Sequence, residues 1–104
     1  MSGIIHWDPK ADGELCLANM RWKLEKLGYT VFVYSYPAGT RFPPHSHNMD
    51  KMDGVLSGQF QLEMDGEAVV LEPGDMLEIP RGVEHSAEVV GKETVLTLDA
   101  YKPD

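Results

Sequence analysis

The sequence is short of several residues that mark particular protein classes. Its 104 residues include one cysteine, Cys16, so no internal disulfide can form. The segment Met1 to Lys10 lacks the basic start and apolar run of a secretory leader. Together these point to a reducing cytoplasm. Basic residues are few: nine Lys and Arg against seventeen Asp and Glu give a net charge of -8. Such a field repels phosphate backbones and anionic lipid, which argues against nucleic-acid and membrane-surface partners. No stretch approaches the ~20 consecutive apolar residues that a membrane-spanning helix needs. There is also no internal repeat or low-complexity tract. The 42% hydrophobic and 25% charged fractions are those of an ordinary folded domain, so disorder is excluded as well.

What is present reads as one domain over residues 1–104. Between Asp12 and Leu27, Leu17, Met20, Leu24 and Leu27 recur at spacings of three and four, the stripe of an amphipathic helix, and Gly28 supplies its stop. Cys16 falls within that helix as a small hydrophobe. From Tyr29 to Asp99 the pattern changes to short runs rich in Val, Ile, Leu, Phe and Tyr. These are Tyr29 to Tyr36, Met52 to Leu56, Gln59 to Met64, Ala68 to Leu71, Met76 to Ile79, Ser86 to Val90 and Thr94 to Asp99. Turn residues such as Ser57-Gly58, Asp65-Gly66 and Pro73-Gly74-Asp75 separate them, with Gly58 and Gly74 expected at positive φ. Closely spaced short strands predict an all-β sandwich or closed barrel with one N-terminal helix. Phe32, Tyr34, Phe42, Phe60 and Met64 are expected in its wall and core, and the tail from Tyr101 to Asp104 is expected to fray.

The four histidines are unevenly placed. His6 precedes the helix and reads as surface or packing decoration. His45 and His47 are separated by one residue, so in an extended strand both side chains point to the same face. His85 follows a Pro-x-Gly turn. Neutral imidazole ligates Zn, Fe, Ni or Mn, and a third histidine from elsewhere would complete a facial set with open positions.

These residues resemble the cupin family. The family's first motif runs Gly, five residues, His-x-His, three or four residues, Glu, six residues, Gly; Gly39, His45, His47 and Gly58 match it in GTRFPPHSHNMDKMDGVLSG. The second runs Gly, five residues, Pro-x-Gly, two residues, His, three residues, Asn; Gly74, Pro80, Gly82 and His85 match it in GDMLEIPRGVEH. The resemblance implies a double-stranded β-helix, a jelly-roll-like barrel whose interior holds one divalent metal on three histidines and a carboxylate. Two positions depart from the pattern: Lys51 stands where the fourth ligand would be, and Val89 where the Asn would be. An ammonium has no lone pair to donate. Asp53, two residues on and on the same strand face, is therefore the candidate fourth ligand, directly or through water, with Asp50 a weaker one. Lys51 and Asp53 would also pair, either as a structural ion pair or as a substrate clamp and acid/base group. A metal-free pocket is a third reading.

The resemblance implies an enzyme acting on a small organic acid, a sugar derivative or a phenolic compound, as an oxygenase, isomerase, decarboxylase or lyase. The alternative is a non-catalytic small-molecule binder or sensor. Tyr36 and Arg41 are expected to face the cavity, and Arg81 to be a solvated loop charge. A homodimer is expected, with the helix and its off-stripe Trp22 packing on the partner.

Overall fold

The computed structural model describes residues 3–103. Among these residues nine strands form two antiparallel sheets, as the run of short apolar segments leads one to expect. One sheet has five strands in the order β1 (Ile4–Ile5), β7 (Met76–Ile79), β4 (Lys51–Ser57), β9 (Val95–Tyr101) and β2 (Thr30–Tyr36). The other has four: β3 (Arg41–His45), β8 (His85–Val90), β5 (Gln59–Met64) and β6 (Glu67–Leu71).

Alternation along the strands gives the five-stranded sheet two different faces. Val55, Leu77, Ile79 and Val95 point between the sheets and pack with Phe60, Leu62, Met64, Leu71 and Val89 from the opposite layer. Met52, Met76, Leu98 and Ala100 point the other way and are covered by Met20 and Leu24 of the helix α2 (Leu17–Lys26). Gly54 makes this second contact possible. A Cβ there would lie 2.8 Å from the Met20 sulfur and 3.2 Å from Met76 Cγ, so the absent side chain is what lets the helix sit close to the sheet.

Several expectations are met and several are corrected. Met20 and Leu24 are fully buried, Gly28 ends the helix at φ 98°, and Gly58 and Gly74 have φ of 79° and 97°. The single helix from Asp12 to Leu27 is instead two. A short α1 (Pro9–Asp12) is capped by the Asp8 side chain and stopped by Gly13 at φ 79°, and α2 begins after Cys16, which is its N-cap rather than an interior residue. Leu27 is the C-cap and is exposed, because the helix has already ended where the stripe would bring it back to the core. Tyr101 does not fray: it closes β9, opposite Thr30 and Lys51. Two strands lie outside the expected runs. β1 has only two residues, and β3 contains Pro43 and Pro44, which cannot donate to a ladder and are tolerated because β3 is an edge strand. Phe32 and Tyr34, expected in the wall and core, are 46% and 45% exposed and belong to neither buried cluster.

Candidate metal centre

His45 ends β3 and His85 begins β8, and the two are directly opposite across the strand pair. His47 lies two residues beyond His45, past the strand end. The ligand-capable atoms of His45, His47 and His85 all lie within 4.8 Å of one another, and the ring centroids are 4.4 to 5.2 Å apart. The two halves of the site are tied together by backbone. The Gly82 N–H donates to the His47 carbonyl at 2.9 Å, and the Arg81 N–H donates to Asp50 Oδ1 at 2.8 Å. The Pro80 to Gly82 turn is thus docked on the segment that carries His47. Asp50 is committed to this turn, not to the histidines.

Two of the imidazoles are oriented for ligation. His45 Nδ1 sits 2.7 Å from the Pro43 carbonyl and His85 Nδ1 3.0 Å from the Val83 carbonyl. A carbonyl only accepts, so Nδ1 carries the proton in each ring and the Nε2 lone pair is left free. His85 is 4% exposed. Burial chiefly, with Lys51 and the other rings adding to it, holds His47 below the usual histidine range; Asp99 opposes the shift. His85 is lowered in the same way, first by burial, while its bond to Val83 opposes. Neutral rings are the state a metal requires. Three nitrogens each ~2.1 Å from one ion and on one face of it lie about 3.0 to 3.4 Å apart, so rings whose ligand atoms lie within 4.8 Å of one another must close in by rotation to hold a divalent ion.

A cavity of about 220 Å³ opens beside the rings. Tyr36, Phe42 and Phe60 form its aromatic wall, and Lys51, Asp53, Asp99 and Thr97 its polar floor. The expected Lys51 to Asp53 pair is not what forms: Lys51 Nζ is 2.6 Å from Asp99 Oδ1. That oxygen is buried without a well-angled hydrogen bond, so the ammonium charge is what compensates it. Asp53 faces Asp99 across β4 and β9, and two carboxyls held this close in a buried place resist both being charged. Burial, then the charge of Asp99, pushes Asp53 up to about 7, against the pull of Lys51. Burial likewise raises the Tyr36 phenol to about 12, so it remains protonated at neutral pH.

Asp53 lines the cavity but is not one of the converging ligand atoms, which among the described residues are the three histidines alone. Asp99 was missed in the sequence. A lone acidic residue inside the apolar run Val95 to Ala100 was the available signal, but its partner depended on the register of two distant strands. Arg41 faces outward, 3.7 Å from Glu88, with its side chain 79% exposed. His6 is also exposed and bonds Asp75 at 2.7 Å. Among the described residues no helix is long and apolar enough to cross a membrane.

Residues 32–101 match the family described as a cupin domain, and both histidine motifs lie within that span. The chain belongs to the cupin family. This cupin is 36% identical over 76 residues to quercetin 2,3-dioxygenase of Bacillus subtilis, covering 71% of the chain and 22% of that enzyme. It is 40% identical over 62 residues to a bifunctional lysine-specific demethylase and histidyl-hydroxylase of Branchiostoma floridae, covering 56% of the chain and 10% of that protein. The matched stretch is therefore a small part of both curated relatives. Among solved structures, the DMSP lyase DddQ of Ruegeria pomeroyi superposes with a TM-score of 0.66 at 26% identity, over 74% of this chain and 39% of that one.

Proposed function

We propose that this cupin is a metal-dependent enzyme on a small organic acid, sugar derivative or phenolic compound, with His45, His47 and His85 holding one divalent ion, Zn, Fe, Ni or Mn. The convergence of three imidazoles, two of them with Nδ1 tied to a backbone carbonyl and Nε2 left free, carries the reading. When bound, the ion supplies Lewis acidity toward an oxygen of the substrate. The chain's own residues do the rest. Tyr36, Phe42 and Phe60 exclude water from one side of the cavity and offer flat apolar contact.

Lys51 and Asp53 are the acid/base pair in this reading. The Asp53 carboxyl, raised to about 7, is poised to hold or release a proton near neutrality. Lys51 is neutralised by Asp99, so it acts as a directional donor more than as a free positive charge. Asp53 is a proton-handling group in this reading, since its carboxyl lines the cavity without joining the converging histidine atoms. Similarity to a dioxygenase and to a lyase supports the oxygenase and lyase branches over isomerisation or decarboxylation. The protein acts in the cytoplasm, as a homodimer.

One observation favours a second reading, a metal-free or non-catalytic binding pocket: the converging atoms include no carboxylate, and Lys51 holds the position of the family's fourth ligand. The two readings separate in a turnover screen. Metal-loaded protein is incubated with small phenols, sugar acids and other organic acids, with and without oxygen, beside His45→Ala. Conversion that is lost in His45→Ala supports the enzyme, whereas a compound bound tightly and recovered unchanged supports the binder.

A further inference from the structure

The strand β2 forms one edge of the five-stranded sheet. All seven of its residues pair with β9 in unbroken register, from Thr30 opposite Tyr101 to Tyr36 opposite Val95, so the strand is regular and has no bulge. Its sequence, TVFVYSY, contains no charge and no proline in a chain of net charge -8. Edge strands normally carry such features, because an unprotected row of backbone donors and acceptors recruits another strand. The other edges of this molecule do have protection. β1 is two residues long, β3 carries Pro43 and Pro44, and β6 begins with Glu67 and is followed by Glu72-Pro73. Among the described edge strands only β2 is long, free of bulges and neutral.

Its side chains tell the same story. Val31 and Val33 pack against the layer under α2. Phe32 and Tyr34, on the opposite face, are nearly half exposed and stack on Tyr101 and Tyr36 with ring centroids 5.7 and 6.0 Å apart. We propose that β2 is the dimer interface, pairing antiparallel with β2 of a second copy about a twofold axis near Val33 and joining the two five-stranded sheets into one of ten strands.

Charge selects a second copy as the occupant. On a chain this acidic, most self-contacts would oppose carboxylates, whereas β2 brings none to its partner. Antiparallel self-pairing also keeps faces matched: about Val33, Phe32 falls opposite Tyr34 of the other copy and Val31 opposite Ser35. Cross-strand aromatic pairs are among the more favourable in antiparallel sheets. The contact is isologous, so it closes at two copies. It replaces the Trp22 face of α2 as the surface that associates.

Light scattering at micromolar concentration tests this on three proteins: the unaltered chain, the double variant Phe32→Lys with Tyr34→Lys, and Trp22→Lys. The expected result is a dimer mass for the unaltered chain and for Trp22→Lys, and a monomer mass for the double variant with an unchanged circular-dichroism spectrum. Hydrogen exchange on the unaltered chain gives a readout that does not depend on the variant folding: β2 amides should gain protection as concentration rises through the dimerisation range. A monomeric unaltered chain, a double variant that stays dimeric, loss of the dimer in Trp22→Lys, or β2 exchange independent of concentration would each overturn the proposal.

Discussion

Replacing Asp53 with asparagine tests the buried carboxyl pair. The Asp53→Asn amide retains a donor toward Asp99 and removes the group that titrates. In the folded chain Asp53 is pushed up to about 7 from 3.8, first by burial. A raised carboxyl pKa means the folded state binds a proton more tightly than the unfolded state does. Stability is therefore whole below about pH 4, declines as pH rises toward 7, and stays reduced above it. A gap of about three pH units at ~1.4 kcal/mol each sets a ceiling of roughly 4 kcal/mol. The realised loss is smaller, a few kcal/mol at most, because Lys51 and Asp99 share the charge. Urea unfolding of metal-stripped protein, followed by the fluorescence of Trp7 and Trp22, measures it between pH 4.5 and about pH 8.5. Asp53→Asn should gain on the unaltered chain as pH rises, with a difference that grows up to about pH 7 and then levels. His47 and His85, held low, tilt stability in the opposite sense near pH 6, but both proteins carry them and the difference cancels that contribution. A stability difference that is constant with pH, or that shrinks as pH rises, would refute a carboxyl raised by burial beside Asp99.

Lys51→Met removes the cation facing Asp99 Oδ1 while keeping the length of the side chain. With both partners largely but not wholly buried, a loss of about 1 to 3 kcal/mol is expected, read as a drop of several degrees in melting temperature. An unchanged melting temperature at pH 7 would mean that the pair contributes nothing. Gly54→Ala places a methyl 2.8 Å from the Met20 sulfur of a fully buried residue and should cost about 1 to 3 kcal/mol by pushing α2 off the sheet. A further Met20→Ala change in that background should recover part of the loss, and additive losses would show that the two sites do not meet.

The parts of the fold that local chemistry dictates were legible in the sequence. Alternating apolar runs and glycine turns marked most strands, the spacing of Met20 and Leu24 marked the helix, and two spaced histidine motifs marked the site. What escaped depended on distant partners. The pairing of Lys51 with Asp99 instead of Asp53 follows from β4 lying beside β9, which no short window of residues reveals. The prolines of β3 hide a strand that is permitted only because it is an edge. Phe32 and Tyr34 have core composition, yet they lie exposed on an edge strand, a place that only the pairing of distant strands decides.

In the proposed site, three imidazoles from two sheet strands and the adjoining loop bind one ion. A crystal grown with zinc and measured at the zinc absorption edge tests it most directly. The expected result is a single strong anomalous peak per chain, about 2.1 Å from Nε2 of His45 and His85 and from a ring nitrogen of His47, with Nδ1 of His45 and His85 still on the Pro43 and Val83 carbonyls. No peak at that position in zinc-saturated crystals, or the three rings turned apart, would contradict it.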